Sequence, residues 1–154
     1  MEILVIDSVD RQIIELLKRD SRITRQKIAE ELEISRQTVQ NRIKALEDSG
    51  IILQYTCITN DKKLGMDVTA IVLVVLDKVK RVWNFTAQEL WSRQNELGII
   101  EMHHITGEYD VVLKMKTPNI EALEDNLLKI SKIEGVSRTL TMVCLSSYDH
   151  GYHI

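Results

Sequence analysis

The sequence contains little cysteine, proline or glycine. Its 154 residues include only two cysteines, one proline and six glycines, and no low-complexity tract interrupts the chain. Cys57 and Cys144 lie far apart and neither belongs to a CxxC pair, so the sequence predicts neither a zinc site nor a redox motif. We expect both cysteines to be small buried side chains, with a disulfide worth testing only in an oxidising or hyperthermophilic setting.

Long hydrophobic runs are also missing. The longest uninterrupted apolar run extends from Ala70 to Leu76, far short of the roughly 20 residues that a membrane-spanning helix requires. The first ten residues, MEILVIDSVD, have an acid at position 2 and contain neither a basic segment nor a small-residue cleavage site. We therefore expect a cytoplasmic protein that is neither secreted nor embedded in a membrane.

The chain has no strong excess of one charge, but its charges are unevenly distributed. The formal net charge is −3. Residues 18–44 contain eight basic and four acidic residues, whereas residues 66–154 contain nine basic and twelve acidic ones. A basic section followed by an acidic one indicates that the first part of the chain contacts phosphate and the second does not.

Residues 7–50 have the pattern of three short helices. Asp7, Thr24 and Ser35 are suited to cap their starts, because a side-chain oxygen at that position accepts a bond from a free backbone N–H. Apolar residues recur at helical spacing after each cap, and Gly50 marks the end of the third helix. The β-branched and aromatic run at residues 51–59 predicts a strand, within a connection over residues 51–65.

The rest of the chain alternates between strand and helix patterns. We predict strands at Val68–Leu76, Ile99–Thr106, Val111–Lys116 and Val136–Leu145. The predicted helices run from Val82 to Leu97, with Trp83 and Trp91 in the core, and from Thr117-Pro118, with Pro118 at the first helical position. The order β-α-β-β-α-β predicts a ferredoxin-like antiparallel sheet with both helices on one face, so a second chain is expected to cover the other face. The fold class is therefore α+β: a helix-turn-helix domain over residues 1–50 is followed by a βαββαβ domain over residues 66–154.

The third predicted helix has an outward face rich in hydrogen-bond donors. Arg36, Gln37, Gln40, Asn41 and Lys44 lie at i, i+1, i+4, i+5 and i+8, opposite an inward stripe of Val39, Ile43 and Leu46. Because long donors near the start of such a helix reach base edges and phosphates, the pattern predicts double-stranded DNA as a partner, although an ordinary solvated face is the simpler alternative. The complete predicted DNA-binding set consists of Thr24, Arg25, Ser35, Arg36, Gln37, Thr38, Gln40, Asn41, Arg42 and Lys44. For Arg42 a structural salt bridge remains a second interpretation, because it adjoins the inward-facing Ile43.

Several segments together resemble the leucine-responsive regulatory protein/AsnC family of feast/famine regulators. They are residues 6–14 (IDSVDRQII), 20–23 (DSRI), 35–47 (SRQTVQNRIKALE), 49–52 (SGII) and 106–110 (TGEYD), together with Pro118 and Gly135-Val136. The resemblance covers about residues 6 to 147. It implies a transcription regulator that binds pseudo-palindromic DNA and forms a homodimer through its C-terminal sheets, with octamers of four dimers common in the family.

The resemblance also implies that an amino-acid effector binds in the C-terminal domain. The positions carried over are Gly107, Glu108, Tyr109, Asp110, Thr139 and Thr141. Backbone N–H groups at Gly107 and the two threonine hydroxyls would hold a carboxylate, and Asp110 would accept from an ammonium group; alternatively, Asp110 caps its own turn. The chain departs from the common pattern in having Glu108 in place of Asp, and Met142 after Thr141.

Other functional classes find less support in the sequence. His103 and His104 are neighbours on a predicted strand, so their side chains point to opposite faces and are not expected to grip one metal ion. The same two-domain architecture occurs in sirohaem decarboxylases, but their histidine- and arginine-bearing motif is not visible, and no catalytic residues or cofactors are predicted. An architectural DNA-binding protein without an effector remains the main alternative to a regulator.

Overall fold

The structure, a computed structural model, describes residues 6–77, 83–146, 148–149 and 152–153. The chain forms two compact units, the first ending at Ile58 and the second beginning at Thr59. Within the described residues, no helix is both long and apolar enough to cross a membrane.

The first unit is built from three helices, which confirms the predicted pattern. Helix α1 spans Ser8–Arg19, α2 spans Arg25–Glu31 and α3 spans Arg36–Asp48. Their caps are the predicted ones: the side chains of Asp7, Thr24 and Ser35 accept bonds from the backbone N–H groups of Asp10, Lys27 and Thr38, respectively. At the start of α1 the Asp10 carboxylate accepts the Asp7 N–H in return, which completes a capping box.

The helices of this unit enclose a small apolar core. One stripe from each helix supplies the buried residues Ile13, Leu16, Ile28, Ala29, Val39, Ile43 and Leu46. After α3 the chain turns at Gly50, whose φ of +74° lies in the left-handed region that glycine adopts without strain. The backbone N–H groups of Ile51 and Ile52 then both bond to the Leu46 carbonyl, which ends the helix.

The predicted strand over residues 51–59 is wrong. Residues 53–59 are irregular, and their backbone groups form no ladder with any described segment. Leu53 is 87% exposed, and Cys57, expected to be buried, is exposed as well. The β-branched residues favour an extended chain, but a strand also needs a neighbour to hydrogen-bond with, and the described residues supply none.

The second unit has the predicted βαββαβ order. Strand β1 spans Val68–Leu76, β2 spans Ile99–His104, β3 spans Val111–Thr117 and β4 spans Val136–Val143. Helices α4 (Trp83–Ser92) and α5 (Gln94–Leu97) precede β2, and α6 (Ile120–Ser131) connects β3 to β4. The four strands form one antiparallel sheet in the order β2-β3-β1-β4, and two short strands, β5 (Tyr148–Asp149) and β6 (Tyr152–His153), pair with each other.

The core of this unit lies between the helices and one face of the sheet. Alternate residues of β1, including Val72 and Val74, are fully buried in one cluster with Leu90 of α4 and Ile130 of α6. The residues between them face the other side of the sheet and are only partly buried. That second face, called the open face below, is apolar where β1 meets β4: Leu73 lies opposite Leu140 and Ile71 opposite Met142.

Four details of this unit differ from the prediction. The helix expected over Val82–Leu97 breaks at Arg93 into α4 and α5, while Val82 and the side chain of Trp83 lie outside the described residues. Trp91 is 41% exposed rather than in the core, because it follows the buried Leu90 by about 100° around the helix. Helix α6 is capped by Asn119, whose side chain accepts the Ala122 N–H. Pro118 therefore precedes the helix instead of occupying its first position, and Thr117 is the last residue of β3. Cys144 is half-buried.

Candidate DNA-binding and effector sites

The outward face of α3 presents the predicted donors to solvent. Arg36, Gln37, Gln40, Asn41 and Lys44 are all exposed, whereas Val39, Ile43 and Leu46 on the inner face are buried. Gln37 Nε2 donates to Asn41 Oδ1 across 2.9 Å, which aligns the two amide groups along the middle of this face. Lys44 pairs with Asp48 at 2.7 Å, and this bond raises the pKa of the lysine. The face therefore carries two positive charges, at Arg36 and Lys44, and three side-chain amides. The acids of α3 lie only at its C-terminal end.

Two hydroxyl groups of the predicted DNA-binding set, those of Thr24 and Ser35, cap helices α2 and α3. Ser35 Oγ lies 2.7 Å from Thr38 Oγ1 and accepts the Thr38 N–H at 3.0 Å, so both side chains are held at the start of α3. Thr24 Oγ1 accepts the Lys27 N–H at 3.2 Å in the same way. These caps satisfy backbone N–H groups at the starts of α2 and α3, and the backbone start of α3 adds a positive dipole end beside Arg36.

Arg25 and Arg36 line one open cavity of about 540 Å³ in the first unit. Tyr55 lines it as well and donates its hydroxyl to Glu47 Oε1 at 2.8 Å, a bond that joins the chain after α3 to the helix itself. Burial, and then this bond, raises the pKa of Tyr55. Among the described residues neither guanidinium forms an ion pair, so both remain available to an anion from outside.

Arg42 is held by α1 rather than turned to solvent. Its Nη1 lies 2.7 Å from Asp7 Oδ2 and 2.9 Å from Asp10 Oδ1, the two carboxylates of the capping box. Asp10 raises the pKa of Arg42 most, and the backbone N–H of Asp10, followed by Arg42, lowers the pKa of Asp7. Of the two interpretations of Arg42 that the sequence left open, the geometry favours the structural salt bridge.

The predicted effector turn between β2 and β3 is tied to β1 through Asp110. The Asp110 N–H donates to the Val74 carbonyl at 2.9 Å, and its Oδ2 accepts the Leu76 N–H at 2.8 Å. Gly107 has a φ of +128°, and a Cβ placed there would meet nothing within 4 Å. The Asp110 carboxylate therefore caps backbone in this structure, on a neighbouring strand rather than within its own turn.

A residue that the sequence analysis missed, Arg138, also holds this turn. Its Nη2 donates to Glu108 Oε1 at 2.9 Å, and its guanidinium carbon lies 5.5 Å from the centroid of the Tyr109 ring. Thr139 and Thr141 lie opposite the buried Val74 and Val72, so they face the helix side of the sheet while Arg138 lies on the open face. The sequence held one signal for Arg138: it directly precedes Thr139 on a predicted strand, so the two side chains were expected on opposite faces of the sheet. The turn and Arg138 are brought together, but the two threonines point away from that contact.

The two adjacent histidines lie on opposite faces of β2. His103 lies opposite Val112 and His104 opposite Val111, so their side chains project from opposite faces of β2, as predicted. No group of three metal-binding side chains occurs among the residues that the structure describes.

Two family profiles match the two units of the chain. Residues 6–52 match the profile described as winged helix-turn-helix DNA-binding, and residues 69–154 match the one described as Lrp/AsnC ligand binding domain. The chain is 33% identical over 141 residues to the HTH-type transcriptional regulator FL11 of Pyrococcus furiosus, which covers 92% of this chain and 90% of that protein. An uncharacterized HTH-type transcriptional regulator of Pyrococcus horikoshii is 35% identical over 140 residues, with 90% of this chain and 92% of that protein covered.

Solved structures have the same fold over nearly the whole chain. AsnC of Escherichia coli superimposes with a TM-score of 0.84 at 27% identity, covering 94% of this chain and 95% of that one. LrpC of Bacillus subtilis gives 0.81 at 31% identity, covering 96% and 99%. A Neisseria meningitidis transcriptional regulator solved in complex with L-methionine gives 0.84 at 22% identity, covering 95% and 94%, which shows the fold alone.

These matches extend over both units and agree with a helix-turn-helix unit followed by an α+β sheet unit. The profiles and the named relatives describe transcriptional regulators, not enzymes. The chain belongs to the Lrp/AsnC family of transcriptional regulators.

Proposed function

We propose that this regulator reads a specific DNA sequence with the exposed face of α3 and responds to an amino-acid effector bound in its second unit. The observation that carries the first part is the row of unburied donors along that face, with a capped, positive helix start. An ordinary solvated helix face mixes acids and bases throughout, whereas the acids of α3, Glu47 and Asp48, lie only at its end. The family membership of the chain agrees with this function.

The proposed contacts fall into two classes. Gln37 and Asn41, at the centre of the face, would reach base edges in the major groove, because amides pair with the edge of adenine. Arg25 and Arg36, which share a cavity without an ion-pair partner among the described residues, would bind backbone phosphates. Thr24, Ser35 and Thr38 contribute by fixing the helix starts, and Gln40 and Lys44 extend the contact along the groove.

The working form would be a homodimer joined through the open faces of two sheets. Leu140 and Met142 are 44% and 46% exposed on this face and adjoin Leu73 and Ile71 of β1, a contiguous apolar surface that a second copy of the chain would cover. Two α3 helices of such a dimer would enter successive major grooves of a pseudo-palindromic site. Assembly of four dimers into an octamer, in the cytoplasm, is the further expectation from the family resemblance.

Effector binding at the β2–β3 turn has two kinds of support. The chain carries the family's ligand-binding domain, and a protein of the same fold has been solved with L-methionine. In this chain the turn is open at Gly107 and carries charged side chains at Glu108 and Asp110. A change in how this turn is held would alter how dimers associate, and so which pairs of DNA sites are bound together.

Fluorescence anisotropy tests both parts in one experiment. The purified chain is titrated into DNA from its own promoter and into scrambled DNA of equal length, at fixed salt, with and without a pool of the twenty amino acids. We expect selective binding that the pool shifts. Selective binding that ignores the pool would contradict the effector. Weak binding without selectivity would favour an architectural DNA-binding protein instead, since phosphate contacts alone do not discriminate between sequences.

A further inference from the structure

Both carboxylates of the β2–β3 turn are already engaged by the chain itself. Asp110 accepts the Leu76 N–H, a bond that belongs to the sheet, whereas Glu108 is bound by the Arg138 side chain. The two bonds differ in environment: Asp110 is half-buried at the end of β1, while the side chains of Glu108 and Arg138 are 70% and 58% exposed. Arg138 lies opposite Val75, beyond the end of the apolar surface of Ile71, Leu73, Leu140 and Met142 that the proposed dimer would cover. The bond between Arg138 and Glu108 is therefore the one that a ligand from solvent would exchange with.

Arg138 is placed to recognise a carboxylate. Its hydrogen bond to Glu108 uses Nη2 alone, and among the described residues its guanidinium has no other hydrogen-bond partner. A guanidinium offers a planar fork that binds a carboxylate through two parallel bonds. The Tyr109 ring beneath the guanidinium carbon restrains its orientation. Gly107, with open space around its α-carbon, leaves room beside the pair.

We propose that Arg138 binds the α-carboxylate of the effector and that Glu108 occupies this position when the effector is absent. The ligand class is thus a small α-amino acid, recognised first by its carboxylate. The exchange replaces one carboxylate by another on the same guanidinium, so charge neutrality is kept while Glu108 is released from β4. This proposal rests on the proposed effector function and identifies Arg138 as a specificity-determining residue of that site.

The test measures affinity by isothermal titration of the full chain with each of the twenty standard L-amino acids, followed by the α-amide of the tightest binder. The amide lacks the carboxylate and should not bind. Arg138→Gln should weaken the amino acid by about 10- to 100-fold, the range for a charge-assisted bond. Glu108→Gln removes the competing carboxylate and should tighten it by about 1.5- to 5-fold. Arg93→Gln, in an exposed pair with Glu96 on another part of this unit, is the matched control and should leave affinity unchanged.

Each other outcome has a distinct meaning. An Arg138→Gln variant that keeps its circular dichroism spectrum and binds the amino acid like the unchanged chain overturns the proposal, while the effector function stands. Weaker binding by Glu108→Gln overturns the exchange, because Glu108 would then hold the ligand. Failure of all twenty amino acids to bind the unchanged chain removes the effector function and this proposal together. If Arg138→Gln proves unstable, Arg138→Lys takes its place in the titration. It keeps the charge but not the planar fork, so it should retain only part of the affinity.

Discussion

Arg42 on α3 bonds to Asp10 on α1 across 2.9 Å, and so joins the third helix of the unit to the first. Asp10 is the residue that completes the capping box with Asp7, and its side chain is only 9% exposed. One pair of acids thus caps α1 and anchors α3. Because the guanidinium is held by two carboxylates of α1, we interpret Arg42 as a positioning residue.

Replacing Arg42 by Gln should destabilise the first unit without removing a phosphate contact. Leaving the largely buried Asp10 without its partner should cost about 1–3 kcal/mol. A residue that contacts phosphate contributes about 0.9 to the slope of log K against log salt concentration for each protomer bound. The Arg42→Gln slope should therefore equal that of the unchanged chain, measured by anisotropy at several salt concentrations below the unfolding temperature.

The matched comparison is Arg36→Gln, which should make that slope less steep. Asp10→Asn should reproduce the stability loss of Arg42→Gln, and the double variant should lose little more than either single one. A reduced salt slope for Arg42→Gln would return Arg42 to the phosphate contacts.

These contacts show what the sequence of the first unit could and could not reveal. The caps at Asp7, Thr24 and Ser35 depend on residues three positions away, so the local pattern predicted them correctly. The Arg42 bonds span 32 and 35 positions, and no local spacing decides which way that side chain turns. The strand predicted over residues 51–59 failed for the same reason, because pairing partners are not encoded in the strand itself.

Gln37 and Asn41 should determine sequence preference. Ala at either position is expected to reduce the discrimination between promoter and scrambled DNA by about 1–3 kcal/mol, since amides read bases rather than phosphates. Gln26→Ala is the control: Gln26 is exposed, bonds to Glu30 at the same i,i+4 spacing on α2 and lines the cavity of Arg25 and Arg36, so any loss of phosphate binding there lowers both affinities alike and leaves the discrimination unchanged. Anisotropy on both DNAs at one salt concentration gives the two affinities. Equal losses on promoter and scrambled DNA would contradict base reading.

The ion pair between Asp61 and Lys116 should make the second unit sensitive to acid. The bond from Lys116 lowers the pKa of Asp61. A carboxylate with a lowered folded-state pKa contributes stability above its unfolded pKa of about 3.9, and this contribution disappears as the pH falls through the folded pKa. The stability difference between the unchanged chain and Asp61→Asn should therefore be constant from pH 7 to 5 and shrink below about pH 4.

Urea unfolding followed by tryptophan fluorescence measures this difference for the second unit alone, because both tryptophans, Trp83 and Trp91, belong to it. Asp67→Asn, an exposed acid immediately before β1, serves as the control. A difference that does not change with pH would show that Asp61 acts through packing rather than charge.

The second unit also divides into what sequence predicts and what it does not. Alternation along β3 predicted that strand, because burial on one side imposes a period of two, whereas β1 was predicted from its nearly continuous apolar run. The exposure of Trp91 depends on how α4 is rotated against the sheet. The bond from Arg138 to Glu108 joins residues 30 positions apart, which no local pattern reveals. The six effector positions carried over from the family include the turn but miss the arginine that holds it.

Leu140→Asp should dissociate the proposed dimer. A charge within the apolar surface where β1 meets β4 would have to be buried against a second copy, which costs far more than leaving it in water. Sedimentation velocity should show a shift from dimer or larger species to monomer. Ile120→Asp, at a similarly exposed apolar position on the helix layer, should leave the mass unchanged. An unaltered assembly for Leu140→Asp would place the dimer interface elsewhere.

Gly98 should be far less tolerant of substitution than Gly65, although both have left-handed φ angles, of +69° and +77°. A Cβ at Gly98 would lie 2.5 Å from the backbone oxygen of Lys116 in β3, whereas a Cβ at Gly65 would meet nothing within 4 Å. Gly65→Ala thus costs only the conformational term, about 1 kcal/mol, while Gly98→Ala must also displace a strand and should cost about 2 kcal/mol more. Urea unfolding followed by tryptophan fluorescence compares the two within one unit. Equal losses of stability would mean that β3 can move away from a Cβ at position 98 at no cost in free energy. The close approach of Gly98 to the Lys116 carbonyl would then not contribute to holding α5 beside the sheet.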